Sequence, residues 1–319
     1  MKKVLGIDLG GTSAKVGVVN QFGEIENKFV VENSKENVLE NLAQQIHTKL
    51  TDLGYECSVD IERIGLAVPG FINHEEGISI LTNNLGWKNY DVKGEAIKLF
   101  NNKNVSVLND VNAAALGEYW TGAASKYSSA IFYWLGTGIG GAIVIDNKLV
   151  SGANGFAGEF GHGGAMQTIN KCNCGLGQCI EATCSAINFG KTFATILEQR
   201  PEHLANQYFK DGKEITMKTI GEAYIKNNKP SEIRELMDEI YKPFYDHISI
   251  MVNALNPKAV IIGGGAALMG NDLLEIIETG AKAHILPFMA DELEFELASL
   301  QNDSGIIGAA FYAINNWED

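Results

Sequence analysis

The chain has 319 residues, 45% of them apolar, enough to bury a large core and, by length, to form about two domains. Its 25 Lys and Arg stand against 39 Asp and Glu, a net charge of −14, which excludes the basic footprint of a nucleic-acid or anionic-membrane binder. The apolar run of the opening MKKVLGIDLGG stops at Asp8, too early for a secretory leader, and no eighteen-residue apolar span follows, so the sequence reads as that of a cytoplasmic protein.

Residues 3–9, 13–19 and 24–31 read as three strands joined by turns at Gly10-Gly11 and near Asn20-Gln21-Phe22-Gly23, an antiparallel meander. Asn33 and Glu36 make a capping-box pattern ahead of Val38, Leu39, Leu42, Ile46, Leu50 and Leu53, a helical apolar stripe that stops at Gly54. ERIGLAVPG then gives a buried strand running into Pro69-Gly70. A further strand, Val105 to Leu108, leads into Asn109-Asp110 and an alanine-rich helix ending near Gly122. Strand and helix alternate, which predicts a layered α/β domain. From Ser129 the pattern restarts: IFYWL, the glycine turn GTGIGG, then AIVID, an echo of VLGIDLGGTSAKVGVV on the scale of a domain. A helical region over about 216–255 carries Ile233, Leu236, Met237, Ile240, Phe244, Ile248, Val252 and Leu255 on one face, with a kink expected at Pro243. AVIIGGG is a strand entering a triple glycine, and residues 305–316 close the chain as a helix. No linker or low-complexity stretch separates the halves, so a shared cleft is expected.

LGTGIGG contains G-x-G-x-x-G at Gly136, Gly138 and Gly141, but a dinucleotide fingerprint needs a helix next, and Ala142 to Ile145 is β-branched and apolar. A hairpin with bare backbone is the better description. Two such turns, one per half, offer amide N–H groups to phosphate oxygens without a Walker lysine; taken singly, each is equally an ordinary tight turn. Five cysteines occur, and Cys172, Cys174, Cys179 and Cys184 fall within thirteen residues. In GEFGHGGAMQTINKCNCGLGQCIE (158–181), nine residues separate His162 from Cys172, and three thiolates with one imidazole suit a closed tetrahedral zinc site. On the residues alone, Cys184 could stand in for His162. Asp110 follows a strand and opens a helix, which fits a plain N-cap, yet that same position is where a general base would face a ligand crevice.

DLGGT (8–12), LNDVNAAALGE (108–118), GTGIGG (136–141), AGEFGH (157–162), CNCGLGQCIE (172–181) and IIGGG (261–265) occur in the order and spacing of the ROK family of sugar kinases, which the chain resembles over nearly its whole length. The resemblance implies a two-domain actin-like (ribonuclease H-like) ATPase fold of the α/β class. ATP and sugar would share an interdomain cleft, between residues 1–117 plus 303–319 and residues 118–302, the latter carrying the zinc loop. It implies structural Zn²⁺ on His162, Cys172, Cys174 and Cys179, with Cys184 left as a buried thiol. It further implies that Glu159, His162 and Glu181 contact sugar hydroxyls, that Asn109 orients the sugar, and that Gly70, Asn83, Asn84 and Trp87 border it. Asp110 would take the proton from a primary (C6) hydroxyl, and Asp8 would hold Mg²⁺ through water. Gly10, Gly11, Thr12, Thr137 and Gly138 would serve the ATP phosphates, and Gly264 and Gly265 the adenosine.

Two departures from the family pattern stand out. Glycine usually precedes the last cysteine, whereas Gln178 does so here with Gly177 one place earlier. Glucokinases of the family commonly carry Glu-Asn-Asp, whereas Leu108 precedes Asn109-Asp110, a feature of some N-acetylmannosamine kinases, so that sugar and β-glucosides stand beside glucose as substrates. Family repressors add an N-terminal helix-turn-helix, for which a first strand starting at residue 3 leaves no room. A silent sugar-binding module is disfavoured by the presence of both Asp8 and Asp110. The expectation is an enzyme, a homodimer by resemblance, with no nucleic-acid or membrane partner.

Overall fold

The computed structural model describes residues 3–34, 36–163, 170–172, 174–210 and 212–315. Three strands open the chain: β1 (Lys3–Leu9), β2 (Ser13–Asn20) and β3 (Ile25–Glu32). Helix α1 (Val38–Asp52) and the single turn α2 (Cys57–Asp60) lead to β4 (Ile61–Val68). A small antiparallel sheet follows, built from β5 (Phe71–Asn73), β6 (Ile78–Thr82) and β7 (Trp87–Asp91). Then come α3 (Val92–Phe100), β8 (Val105–Asn109) and α4 (Asp110–Trp120). The second run comprises β9 (Ala130–Leu135), β10 (Ile139–Ile145), β11 (Lys148–Leu149), α5 (Glu181–Cys184), α6 (Ala186–Gln199), α7 (Met217–Lys226) and α8 (Ser231–Leu255). It continues with β12 (Ala259–Gly263), α9 (Asn271–Lys282), α10 (Pro287–Ala290) and β13 (Glu294–Leu297), and the chain closes with α11 (Ser304–Asn315).

The two large sheets have the same topology. Strand order is β3-β2-β1-β4-β8 in the first and β11-β10-β9-β12-β13 in the second. In each, the first strand of the run lies in the middle, its hairpin partners extend to one side, and two later strands add in parallel on the other. This is the repeat that the two strand–glycine turn–strand segments foreshadow. By Cα proximity the chain forms two compact units: residues 1–127, 142–158 and 299–319, and residues 128–141 and 159–298.

In the first unit both faces of the sheet are covered, so β1 and β4 read as near-continuous apolar runs rather than alternating ones. Leu5, Ile7 and Leu9 pack with Leu39, Leu42 and Ile46 of α1 and Phe100 of α3. Val4 and Val19, on the opposite side of the pleat, meet Ile306, Ala310 and Ala313 of α11. Glycine makes that approach possible: a Cβ on Gly65 would strike the Ala309 carbonyl, and one on Gly308 the Ala113 carbonyl. The capping box expected at Asn33 does not form. Asn37, in the left-handed region, sits at the N-cap of α1 with no side-chain cap bond. Asn33 instead donates its Nδ2 to Gly10 O at 2.7 Å, while its own N–H reaches Thr12 O at 2.9 Å, clasping the first glycine turn.

In the second unit the aromatic core gathers around fully buried Tyr133, with Phe244 edge-on at 5.1 Å and Phe189 against Tyr241 at 4.4 Å. The helical stretch over 216–255 is two helices. Asn228 and Lys229 take left-handed conformations ahead of Pro230 and end α7, whereas α8 runs on through Pro243. Among the described residues no helix is long and apolar enough to cross a membrane.

Candidate functional site

In the second unit, residues 159–163 form a short loop pinned at three points. Phe160 is buried against Tyr133 (5.0 Å) and His247 (5.2 Å). His162 N–H closes a turn on Glu159 O at 3.1 Å, and Glu181 N–H reaches Gly161 O at 3.1 Å. Glycines at φ +99° (Gly158) and +82° (Gly163) let the chain turn in and out. Glu159 and Glu181 are thereby drawn together, and burial raises the Glu159 carboxyl above its usual range, with Glu181 adding to the rise and His162 opposing it.

His162, Cys172, Cys174 and Cys179 offer one ligand atom each, all within 4.8 Å of one another. Cys172 Sγ lies 3.6 Å from His162 Nδ1, and Cys174 Sγ 3.4 Å from Cys179 Sγ. Zn–S bonds of about 2.3 Å and Zn–N bonds of about 2.0–2.1 Å make tetrahedral edges of roughly 3.5–3.8 Å, so this donor set fits a closed zinc site. Cys184 stands apart: fully buried, it donates to Ile240 O at 3.2 Å. The displaced glycine has a local reason. Gly175 (φ +91°) and Gly177 (φ +80°) take the two left-handed positions, and Cys172 N–H bonds Gly177 O, so the turn needs no glycine at 178. Asn173 and residues 164–169 lie outside the described residues.

The 136–139 turn lies against this cluster. Glu181 Oε2 accepts from Ile139 N at 2.9 Å, Ala186 N–H bonds Gly136 O at 2.9 Å, and a Cβ on Gly138 would collide with the Glu181 carboxylate. At the end of β12, Gly264 (φ +85°) packs on Leu135, where a Cβ would stand 2.6 Å from its carbonyl oxygen; a 3₁₀ turn, Gly265–Met269, follows. Thr137, Gly138, Gly264, Glu159, His162 and Glu181 therefore belong to one unit.

The first unit holds the remaining candidates. Asn109, not Asp110, is the N-cap of α4, its Oδ1 accepting from Val111 N (2.9 Å) and Asn112 N (3.1 Å). The cap falls there because Asn109 keeps extended backbone (ψ 146°), whereas Asp110 is already helical. Asn109 Nδ2 spans to Gly70 O (3.0 Å) and to Asp110 Oδ1 (3.1 Å), which also accepts from Val111 N at 2.9 Å. Gly70 itself has φ +92°. Asn84 packs beside Gly11, its Cβ 3.6 Å from where a Gly11 Cβ would be. Trp87, expected at the sugar, is instead core, stacked on Tyr90 at 4.7 Å. Asp8 lies under the first turn of α11, where a Cβ on Gly305 would come within 2.7 Å of its Cγ, and it pairs with Lys15 at 3.5 Å. Burial raises its carboxyl and Lys15 pulls it back down.

Glu118 ends the LNDVNAAALGE motif, where its place on an alanine-rich helix gives no sign of a function. Fully buried in the last turn of α4, it accepts from Ala123 N, Ser299 N, Ser299 Oγ and Leu300 N at 2.8–3.1 Å. It thereby ties the helix that begins at Asp110 to the segment by which the chain re-enters the first unit.

The ROK family model matches residues 4–316. The chain belongs to the ROK family. A glucokinase of Halalkalibacterium halodurans is 34% identical over 321 residues, covering 96% of this chain and 93% of that one. A xylose repressor of Caldicellulosiruptor bescii is 30% identical, covering 98% of this chain and 78% of the repressor. Among solved structures, a ROK family glucokinase from Streptomyces griseus in complex with glucose and AMPPNP superposes with a TM-score of 0.76 at 27% identity, covering 98% and 99% of the two chains. The duplicated sheet topology of this ROK-family chain is that of the actin-like ATPase fold.

Proposed function

We propose that this sugar kinase of the hexokinase type transfers the γ-phosphoryl group of ATP to the primary (C6) hydroxyl of a hexose or hexose derivative, with Asp110 as general base. The observation that carries the reading is the Asn109-Asp110 corner. One carboxylate oxygen of Asp110 is fixed by the Asn109 amide and the Val111 N–H, while Asn109 rather than Asp110 caps α4, so the carboxylate is oriented at the head of the helix. In this reading Asp110 accepts the C6 hydroxyl proton as the sugar oxygen forms its bond to the γ-phosphorus and the bond to the β,γ-bridging oxygen breaks, releasing ADP. Asn109 orients the sugar with Gly70 and Asn84, while Glu159, His162 and Glu181 accept from or donate to its ring hydroxyls.

Gly10, Gly11, Thr12, Thr137 and Gly138 serve the phosphates through N–H and hydroxyl donors, with Gly10 shaping its turn by its own N–H to Ser13 O at 2.9 Å, and Gly264 and Gly265 serve the adenosine. Asp8, poised by Lys15 and the start of α11, fits a water-mediated Mg²⁺ ligand; the ion supplies charge neutralisation at the phosphates. Zinc on His162, Cys172, Cys174 and Cys179 supplies rigidity, holding the loop that carries the sugar-facing groups. The reading includes a cytoplasmic location and a homodimer, for which analytical ultracentrifugation should give twice the mass of the chain. Leu108 before Asn109-Asp110 departs from the glucokinase pattern, and N-acetylmannosamine or a β-glucoside is the second substrate reading.

The test is ATP-dependent ADP release against glucose, N-acetylmannosamine, N-acetylglucosamine, fructose and cellobiose, with Asp110→Asn beside wild type. We expect one sugar to stimulate turnover and the variant to lose about 10²–10⁴-fold in kcat while still binding that sugar. Sugar binding without turnover by wild type would instead mark a sensor, in keeping with the repressor relative.

A further inference from the structure

Glu181 holds two parts of the second unit at once. Its main chain belongs to the metal loop, through Glu181 N–H to Gly161 O, and its carboxylate belongs to the glycine turn, through Oε2 to Ile139 N at 2.9 Å. The other oxygen, Oε1, faces the metal cluster, 3.7 Å from Cys172 Sγ. Five residues on, Ala186 N–H holds the opposite end of the same turn at Gly136 O, and the turn closes on itself through Gly136 N–H to Gly138 O at 3.0 Å. Contact is close enough to dictate residue type. A Cβ on Gly138 would run into Glu181 Oε2, and one on Gly161 into Ile139 O, although Gly138 has no left-handed φ that would require glycine for backbone reasons.

Resting on the reading of this turn as the ATP-phosphate turn, we propose that Glu181 is a positioning residue for the nucleotide as well as a sugar contact, and that this shared carboxylate couples the affinities for the two. With Oε2 committed to Ile139 N–H, the backbone donors of Thr137 and Gly138 are held in the shape that receives phosphate. Oε1, beside Cys172 Sγ, has a second lone pair that can accept from a sugar hydroxyl. A sugar that orders Glu181 therefore orders the turn, and a nucleotide that orders the turn orders Glu181, by the same factor in each direction.

The test uses zinc-loaded full-length protein and Mg²⁺-AMPPNP as the probe, titrated calorimetrically with and without the hexose that supports turnover, in wild type, Glu181→Ala, Glu181→Gln and Gly138→Ala. Losing a charge-assisted bond to a backbone donor weakens nucleotide binding roughly ten- to a hundredfold in Glu181→Ala. Glutamine retains a carbonyl oxygen for Ile139 N–H, so Glu181→Gln stays within about threefold of wild type for nucleotide. Gly138→Ala, a change in the phosphate turn, weakens sugar binding about tenfold as well as nucleotide binding, because the new methyl displaces the carboxylate. Zinc content by elemental analysis stays at wild-type level in each variant, which separates lost positioning from a collapsed loop. Unchanged nucleotide affinity in Glu181→Ala, equal losses in the alanine and glutamine variants, or a sugar affinity untouched by Gly138→Ala overturns the proposal. A loss confined to Glu181→Ala supports the anchor even if no hexose is turned over, so failure of the sugar-kinase reading registers separately. A wild-type chain that binds no nucleotide overturns both.

Discussion

Replacing Glu118 with alanine strands four hydrogen-bond donors in a site with no solvent access: Ala123 N, Ser299 N, Leu300 N and Ser299 Oγ, all within 3.1 Å of the carboxylate. The serine hydroxyl can turn elsewhere, but the three backbone N–H groups are fixed by the chain. Each buried donor left unpaired costs about 1–3 kcal/mol, so the loss is at least about 3 kcal/mol even if each takes the low value and water enters the vacated space. At about 2 °C or more per kcal/mol for a domain of this size, the melting temperature falls by roughly 6 °C or more. Glu118→Gln sharpens the test. Three donors converge on Oε2 and one on Oε1, so the amide oxygen keeps the larger set and the NH₂ faces Leu300 N–H, for an intermediate loss of about 1–3 kcal/mol. Thermal unfolding followed by circular dichroism at neutral pH, supported by urea midpoints, gives the ranking. An alanine variant that melts within about 1 °C of wild type would refute the claim that this carboxylate holds the end of α4 to the returning chain.

Stripping the metal with a strong chelator should release about one zinc per chain, and restoring it at a thousandfold excess over Kd should recover about 4 kcal/mol of stability; metal-free protein as stable as the loaded form would remove the structural role. Acid should weaken the fold through His74 and His247, whose imidazoles burial pushes down to about 4 from 6.5. Because their folded values are depressed, the unfolded chain binds more protons between pH 6.5 and 4; stability is full above that window, falls as pH drops through it by roughly 3 kcal/mol per histidine, and levels off below it. Neither ring nitrogen of His74 has a hydrogen-bond partner among the described residues, and its ring packs edge-on against Tyr312 at 6.2 Å. His74→Phe should therefore flatten about half of the pH dependence of the melting temperature; an unchanged slope assigns the acid lability elsewhere.

Elements set by local patterning were legible in the chain itself. The 3–9 and 13–19 strands, the stripe from Val38 to Leu50 and the strand entering Asn109-Asp110 stand close to where alternation, periodicity and glycine punctuation put them. The cysteine loop was legible because thiolates at loop spacing have few other uses, although the residues alone left Cys184 open beside His162 until the fold set it apart on Ile240 O, and the family was legible because six motifs keep their order. Misreadings arose where one residue type serves two purposes. Asn33 carries a cap signature yet clasps Gly10, and Trp87, expected to border the sugar, packs in the core beside Tyr90.

What the sequence determined by itself is therefore the inventory: two strand–glycine–strand openings, a cysteine loop, a carboxylate at the head of a helix, and an acidic balance of charge. Only the tertiary structure decided which groups share a hydrogen bond. That Glu181 serves the 136–139 turn, that Glu118 gathers donors from residues 123 and 299–300, and that residues 142–158 pack with the first unit depend on contacts between segments far apart in the chain. No local pattern encodes them, because a carboxylate has the same propensities in solvent as in a buried nest of N–H donors; what distinguishes the two is the surrounding backbone that the fold brings to it.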